Sequence, residues 1–172
     1  MISFPKYCSQ CSQELVLQRI DGRSRPVCQG CGQISYLNPI PSVATILFQD
    51  GRILLVKRNI EPGYGKWGLP GGFIERDESP NDAVIREVFE ETGLICQPIN
   101  VIDTSGSFET IYGSIIVICY LAEIISGTLR AGDDAEDVQF FELNSLPPMA
   151  FRNHTQFLEK YAGFELASHD KF

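Results

Sequence analysis

The chain has 172 residues, of which 44% are hydrophobic and 21% charged, so it can bury one core with a small appendage, as ordinary globular proteins do. A formal net charge of −8 makes a generic nucleic-acid binder a poor fit and suits metal-assisted handling of small phosphates. No basic-then-apolar leader opens the chain and no apolar run is long enough to span a membrane, so we expect a cytoplasmic protein with no membrane partner.

Two C-x-x-C pairs lie in the first part of the chain. Sixteen residues separate the pairs, which are Cys8 with Cys11 and Cys28 with Cys31, and this spacing is typical of a zinc site. Four thiolates close a tetrahedral Zn²⁺ site with no vacant position, which indicates a structural metal. Disulfides or a redox-active pair are the alternatives. Disulfides do not suit a cytoplasmic chain, and no strand–helix context indicates a thioredoxin-type redox site here. We predict a zinc ribbon over residues 1–35.

A proline-punctuated stretch, residues 36–41, follows the ribbon and predicts a linker. After it come two β-rich runs, residues 43–48 and 53–56, joined by an Asp-Gly pair that favours a hairpin turn. The main domain is therefore expected to begin near residue 41 with a β-hairpin and to extend to about residue 160.

A glycine-rich stretch leads from this hairpin to the next element. Trp67 within it is expected to fill the core. Gly71 and Gly72 have no side chains, so a backbone carbonyl there could approach a metal held by the segment that follows.

The segment from residue 72 to 94 predicts a helix with well-marked ends. Ser79 can cap the N-terminus, Pro80 suits the first turn, and Asp82 completes an S-x-x-D box. Gly93 supplies the stop.

Three carboxylates share one face of this helix, because Glu87, Glu90 and Glu91 are spaced i, i+3, i+4. Like charges at these spacings disfavour a helix by about 0.2–0.5 kcal/mol per pair. Glu91 also borders the apolar face and should be partly buried. A hard divalent cation with oxygen ligands, Mg²⁺ or Mn²⁺, would neutralise such a cluster. The apolar face is expected to contain Val84, Ile85, Val88 and Phe89.

The same segment resembles the Nudix box, G-x5-E-x7-R-E-U-x-E-E-x-G-U, in which U is an apolar residue. Every position matches, and the matching residues are Gly72, Glu78, Arg86, Glu87, Val88, Glu90, Glu91, Gly93 and Leu94. A solvated amphipathic helix that happens to be acidic is the alternative, and nine matches at fixed spacing argue against it.

The resemblance implies an α/β fold, the Nudix α/β/α sandwich with a mixed β-sheet, preceded by a small zinc ribbon. It also implies that the three helix glutamates hold Mg²⁺ (or Mn²⁺), together with a backbone carbonyl of Gly71 or Gly72. Arg86 is expected to orient Glu90 and to pair with Glu78.

The general base is left open by the resemblance, since Glu87 or a loop carboxylate can serve in similar enzymes. An acidic loop covers residues 132–137, about where similar Nudix proteins bring an extra glutamate to the metal. Glu136 is our candidate there, with Asp133, Asp134 and Asp137 next. A charge run of this kind is otherwise a solvated loop.

Three residues are candidates for substrate contact. Arg58 lies in a K-R-N stretch that resembles the substrate region of Nudix hydrolases, where a guanidinium can hold phosphate oxygens. Phe108 and Tyr112 flank a turn and could stack on a base. Solvated charge for Arg58, and core or dimer packing for the aromatic residues, are the alternatives.

The remainder of the chain predicts strands at residues 101–107, 114–124 and 138–142, a final helix at 153–161 and a polar tail over 161–172. Cys96 and Cys119 are expected in the core. His154 and His169 show no partner pattern, and we assign them no role.

The leading functional hypothesis is a dinucleotide pyrophosphatase acting on ADP-ribose, FAD or NAD(H). A ribbon followed by Y-x-N-P is similar to NADH pyrophosphatase-type Nudix proteins, but the S-Q-P-W signature of those proteins is absent, which speaks against strict NADH preference. One alternative is a MutT-like nucleoside triphosphate pyrophosphohydrolase, which usually lacks a ribbon. Another is a non-catalytic Nudix sensor, against which the intact glutamates argue. A small nucleotide substrate, no nucleic-acid partner and a possible homodimer complete the hypothesis.

Overall fold

A central β-hairpin organises the main domain. In the computed structural model, which describes residues 4–132 and 134–169, this hairpin consists of β3 (Ile40–Gln49) and β4 (Arg52–Arg58). The turn residues Asp50 and Gly51 have φ values of 50° and 79°, the left-handed conformation that a two-residue hairpin turn requires. Side chains alternate between the two faces of each strand, so the hairpin supplies apolar groups to both.

Six strands form one mixed sheet around the hairpin, as predicted. The other strands are β5 (Trp67–Gly68), β6 (Leu94–Thr110), β7 (Gly113–Gly127) and β8 (Ala135–Glu142). Their order is β5-β4-β3-β7-β6, with β8 paired to β4. The β3–β7 pair is parallel and the other pairs are antiparallel. Strands β6 and β7 extend beyond their predicted ranges, because register shifts in the ladder let pairing continue where the apolar alternation is broken.

Two helices cover the two faces of the sheet, which confirms the predicted sandwich. They are α1 (Pro80–Thr92) and α2 (Arg152–His169). On one face α1 packs Val84 and Val88 against Leu47 and its neighbours. On the other face α2 packs Phe157 and Leu158 in a cluster that includes Ile46.

The ends of α1 are those the sequence predicts. The Ser79 hydroxyl accepts a hydrogen bond from the Asp82 N–H, and the Asp82 carboxylate accepts one from the Ser79 N–H. Gly93 ends the helix in the left-handed conformation. The buried face is narrower than predicted, since Ile85 and Phe89 are 36% and 46% exposed. Each follows a buried position by one residue, which turns it about 100° away from the sheet.

Helix α2 is longer than predicted. It continues to His169 instead of ending near residue 161, so the expected polar tail is helical over most of its length. The residues after Gly163 are helix-forming types without proline, and one glycine is not enough to end the helix. The rest of the predicted tail, residues 170–172, lies outside the described residues.

A separate two-stranded sheet forms the ribbon. Strands β1 (Leu15–Ile20) and β2 (Arg23–Cys28) pair antiparallel. Among the described residues, no helix is long and apolar enough to cross a membrane.

Candidate active site

Carboxylates from two elements meet in a cavity of about 350 Å³, a volume typical of small-molecule sites. Glu87 and Glu91 of α1 line it, and so does Asp134, which precedes β8. Burial raises the pKa of Glu91 to about 8 and also raises the pKa of Glu87. Glu91 is partly buried, as the sequence predicts. Glu90 has a side chain that is 54% exposed and lies outside this lining.

Arg86 holds the carboxylates of α1 in place. Its Nη1 donates to Glu87 Oε1 at 2.7 Å and to Glu90 Oε2 at 3.0 Å. Nε donates to Glu78 Oε2 at 3.0 Å, and Nη2 donates to the other oxygen of Glu78 and to the Phe73 carbonyl. The expected pairs of Arg86 with Glu90 and Glu78 are therefore present, and Glu87 is a third partner that the sequence analysis did not include.

An extended segment, residues 69–72, forms one wall of the site. The carbonyl oxygens of Pro70 and Gly72 accept hydrogen bonds from β3 at 2.8 and 2.9 Å. The opposite edge, which carries the N–H groups of Leu69 and Gly71, faces the cavity, because successive peptide groups of an extended chain point to opposite sides. The Gly71 N–H donates to Glu91 Oε2 at 2.9 Å.

Both glycines of this segment are needed for the close approach. Gly71 has φ of 152°, and a Cβ there would lie 2.1 Å from the Val43 carbonyl oxygen. A Cβ at Gly72 would lie 2.5 Å from Glu87 Oε1. The carbonyl of Gly71 lies on the same edge as its N–H, because both groups of one residue in an extended chain point to the same side.

The acidic loop reaches the site because it pairs with the C-terminal end of α1. The N–H groups of Arg130 and Gly132 donate to the carbonyls of Thr92 and Glu91, at 2.9 and 3.1 Å. A Cβ at Gly132 would lie 1.6 Å from the Glu90 carbonyl oxygen, so the contact requires glycine. These bonds satisfy carbonyls at the helix end and place Asp134 in the cavity.

The structure places Glu136, our candidate from this loop, away from the cavity. Its carboxylate forms an exposed ion pair with Lys57 Nζ at 3.0 Å. Successive side chains of β8 point to opposite faces of the sheet, so Glu136 is exposed where its neighbour Ala135 is buried. Asp137 accepts a hydrogen bond from its neighbour Val138 N–H, and Asp133 lies outside the described residues. Among the described residues of this loop, Asp134 is therefore the one that the structure brings to the helix glutamates.

Arg58 lines the cavity and is held in a fixed orientation. Its Nε donates to the Pro62 carbonyl oxygen at 2.8 Å, and its guanidinium carbon lies 5.0 Å from the centre of the Phe151 ring. Neither terminal nitrogen has a hydrogen-bond acceptor among the described residues. Both can therefore donate to oxygens of a ligand.

The two aromatic candidates differ in position. Tyr112 lines the cavity, where its ring meets Phe73 edge to face with centroids 5.2 Å apart. Phe108 is 72% exposed and does not line it, so neither core packing nor a cavity contact describes it. Trp67 is buried against Phe141, as predicted.

His154, to which the sequence analysis assigned no role, also lines the cavity. It is 8% exposed, and its Nδ1 accepts a hydrogen bond from the Leu69 N–H at 2.9 Å. Burial, with a contribution from Arg58, lowers the pKa of His154 to about 3. The imidazole is therefore neutral and carries its proton on Nε2. No local pattern signals this contact, because the two partners are 85 residues apart.

Two family models match the chain. A Nudix domain model matches residues 38–161, and a Nudix N-terminal zinc-ribbon model matches residues 6–37. The chain belongs to the Nudix hydrolase family. It is an enzyme of this family.

Individual relatives agree with this assignment. The ADP-ribose pyrophosphatase of Methanocaldococcus jannaschii is 41% identical over 127 residues, which cover 73% of this chain and 75% of that protein. The NAD-capped RNA hydrolase NudC of Pseudomonas aeruginosa is 29% identical over 147 residues, 84% of this chain but 50% of NudC. The crystal structure of a Nudix hydrolase from Nitrosomonas europaea superposes with a TM-score of 0.80 at 29% identity, covering 91% of this chain and 90% of that one.

The ribbon of this Nudix protein brings its four cysteine sulfurs together, within 4.8 Å of one another. The Cys8–Cys31, Cys11–Cys28 and Cys11–Cys31 sulfurs are 3.7, 3.3 and 3.5 Å apart. Tetrahedral zinc with Zn–S bonds of about 2.3 Å requires sulfurs about 3.8 Å apart, so the cluster fits zinc.

The electrostatics of these thiols also fits a metal-binding cluster. The Cys31 backbone N–H is the main group that lowers the pKa of Cys28 to about 6. For Cys11, a backbone hydrogen bond from Gln13 lowers the pKa. The hydrogen bonds to the Cys28 and Cys31 thiols raise it by more, and the pKa of Cys11 is about 12. Four thiolates therefore ionise together only when a cation neutralises them.

The first prediction concerns zinc content. Reduced protein purified without chelators should contain about one zinc per chain by mass spectrometry of the metal. Cys28→Ser should lose it and expose residues 6–37 to proteolysis, because a small sheet depends on its metal. Cys96→Ser, which changes a buried cysteine of the main domain, is the control and should keep its zinc. Zinc-free wild-type protein would contradict the assignment.

A second prediction concerns the pH dependence of stability. The folded pKa of His154 is about 3, below the unfolded value of about 6.5, so its contribution is complete above pH 6.5 and is lost as the pH falls toward 3. Between pH 7.5 and 5.5, wild type should lose about 1.4 kcal/mol more unfolding free energy than His154→Asn. Urea titrations at the two pH values measure this difference, and equal losses in both proteins would contradict a buried neutral histidine.

Proposed function

We propose that this enzyme hydrolyses the diphosphate bond of nucleoside diphosphate derivatives, with ADP-ribose as the leading substrate and FAD and NAD(H) as further candidates. The charge of the cavity is the observation that carries the proposal. Among the described residues that line it, Arg58 is the one cationic side chain, against the carboxylates of Glu75, Glu87, Glu91 and Asp134. This balance suits a doubly charged diphosphate better than a triphosphate with about four charges.

The shape of the cavity supports the same class of substrate. Aromatic Phe73 and Tyr112 line one part, and Arg58 with the start of α2 lines another. A ligand with a base at one end, a sugar at the other and a diphosphate between them fits such a lining. The relative from Methanocaldococcus jannaschii carries the name ADP-ribose pyrophosphatase, which agrees with this substrate.

Mg²⁺ (or Mn²⁺) fits the carboxylate cluster, because burial raises the pKa of Glu87 and Glu91 by more than Arg86 and the Gly71 N–H lower it, so their ionised forms are only partly compensated. The ligands would be Glu87, Glu90 and Glu91, with the carbonyl of Gly71. A divalent cation there supplies positive charge for phosphate oxygens and acidifies water.

The protein's own groups position the substrate and accept the proton. Arg58 donates to the phosphate oxygens from its two terminal nitrogens, and Arg86 fixes the carboxylates of Glu87 and Glu90. We assign the general base to Asp134. Among the described carboxylates that line the cavity, Glu87 is bonded to Arg86 and Glu91 to Gly71, whereas Asp134 and Glu75 have no hydrogen bond to their side chains. Of these two, Asp134 is the one whose charge acts on Glu91, which places it beside the helix glutamates.

The substrate prediction is tested with a panel of compounds incubated with Mg²⁺. ADP-ribose should give AMP and ribose 5-phosphate with a higher kcat/KM than any nucleoside triphosphate, oxidised ones included. FAD and NADH belong in the same panel as the further candidates. NAD-capped RNA is included because the relative NudC, which this chain matches over half of its length, is named for its hydrolysis. Tenfold preference for a triphosphate, about 1.4 kcal/mol in transition-state binding, would overturn the proposal. Glu90→Gln should lose activity on every compound.

A matched pair of variants tests the base. Asp134→Asn keeps the size of the side chain and removes its proton-accepting charge, so kcat should fall by about 10²–10⁴-fold. Glu136→Gln makes the same chemical change two residues away, at an exposed ion pair, and should leave kcat within about twofold. Equal losses in the two variants, or a larger loss in Glu136→Gln, would contradict the assignment.

A further inference from the structure

His154 has one nitrogen in use and one unused. Nδ1 accepts from Leu69, which leaves Nε2–H as a donor, and no described residue accepts from it. The side chain is more than nine-tenths buried, yet it lines the substrate cavity. Nε2 is not among the enclosed side-chain atoms of the described residues that lack a partner, so it is open to the cavity, where a ligand can supply the acceptor.

The segment 69–72 fixes how far this donor lies from the carboxylates. Leu69 and Gly71 carry successive N–H groups on the cavity edge, and these bind His154 and Glu91. Two residues of extended chain span about 6.6 Å, so the imidazole lies roughly that far from Glu91 along the wall. A phosphate beside Glu91 would place the next group of the substrate near His154.

The chemistry around His154 favours a polar, uncharged group there. Asn153 lines the same wall, and its Oδ1 accepts from the His154 N–H at 3.1 Å, so its amide N–H groups remain as donors. Phe151 is in contact with Arg58 on one side and meets the His154 ring with centroids 5.0 Å apart. Because the ring of Phe151 already contacts Arg58 and His154, this end of the cavity offers hydrogen-bond donors and no free ring for stacking.

We propose that the Nε2–H of His154 and the amide of Asn153 donate hydrogen bonds to hydroxyl or ring oxygens of the terminal sugar of the substrate. This pair selects sugar-terminated diphosphates over compounds that end in phosphate. The inference rests on the proposed function, since it assigns the end of the cavity that the sugar occupies.

The test distinguishes the structural role of Nδ1 from the proposed ligand contact of Nε2. His154→Asn can keep an oxygen acceptor for the Leu69 N–H, but its side chain is too short to donate from the Nε2 position. His154→Gln can place an amide N–H near the Nε2 position and loses the bond to Leu69. Calorimetry measures Kd for the non-hydrolysable α,β-methylene analogue of ADP-ribose and, as the matched ligand without the terminal sugar, for α,β-methylene-ADP.

His154→Asn should weaken binding of the sugar-bearing analogue about tenfold and leave Kd for α,β-methylene-ADP within about twofold. With hydrolysable ADP-ribose, KM should rise while kcat changes little, because the lost contact is equal in ground and transition states. His154→Gln should unfold at a lower temperature and retain more of the preference for the sugar-bearing analogue.

Asn153→Ala provides a second variant in case His154→Asn does not fold, because an aspartate there would repel both anionic ligands. The alanine change removes the amide donors without adding charge, and it should show the same selective loss. Equal weakening of both analogues would place the contact on the diphosphate or adenosine, and unchanged binding would make His154 purely structural. Either result overturns this inference, whereas failure of wild type to hydrolyse ADP-ribose would overturn the proposed function.

Discussion

The cost of burying carboxylates at one end of α1 determines how the site is built. Burial raises the pKa of both Glu87 and Glu91, so each ionised group needs compensation. Arg86 provides it for Glu87, and the Gly71 N–H provides it for Glu91. The pKa of Glu91 is raised further because Glu91 is more deeply buried, and one hydrogen bond from a neutral amide compensates less than a guanidinium does. A divalent cation would complete the compensation, and the remaining contacts hold the carboxylates ready for it.

Residues 69–72 connect the sheet, both helices and the cavity. One edge of this segment is bonded to β3, and the other edge is bonded to Glu91 of α1 and His154 of α2. A change in its position would therefore move a carboxylate and an imidazole together. The absence of a Cβ at Gly71 and Gly72 allows this segment to lie against β3 and Glu87 at the same time.

The C-terminal end of α1 requires hydrogen-bond donors, and the loop that supplies them also carries a residue of the active site. The last carbonyls of a helix lack intrahelical partners, and here Arg130 and Gly132 supply them from a loop of the sheet. That loop continues directly into Asp134, so satisfying the helix end also brings a carboxylate into the cavity. The same contacts therefore cap the helix and assemble the acidic cluster.

Short-range patterns in the sequence were enough to determine α1, its caps, the carboxylate face and the cysteine cluster, because each depends on residues within a few turns or on a fixed C-x-x-C spacing. The sandwich and the Arg86 pairs with Glu78 and Glu90 followed from the same box. Only the tertiary structure showed that Asp134 reaches the cavity while Glu136 pairs with Lys57, since that choice depends on how a loop meets the end of a distant helix. The same holds for His154, whose position beside Leu69 results from packing α2 against the sheet across 85 residues of chain. Local periodicity carries no information about such contacts, so the sequence by itself specified the carboxylate face of α1 and the tertiary structure decided what surrounds it.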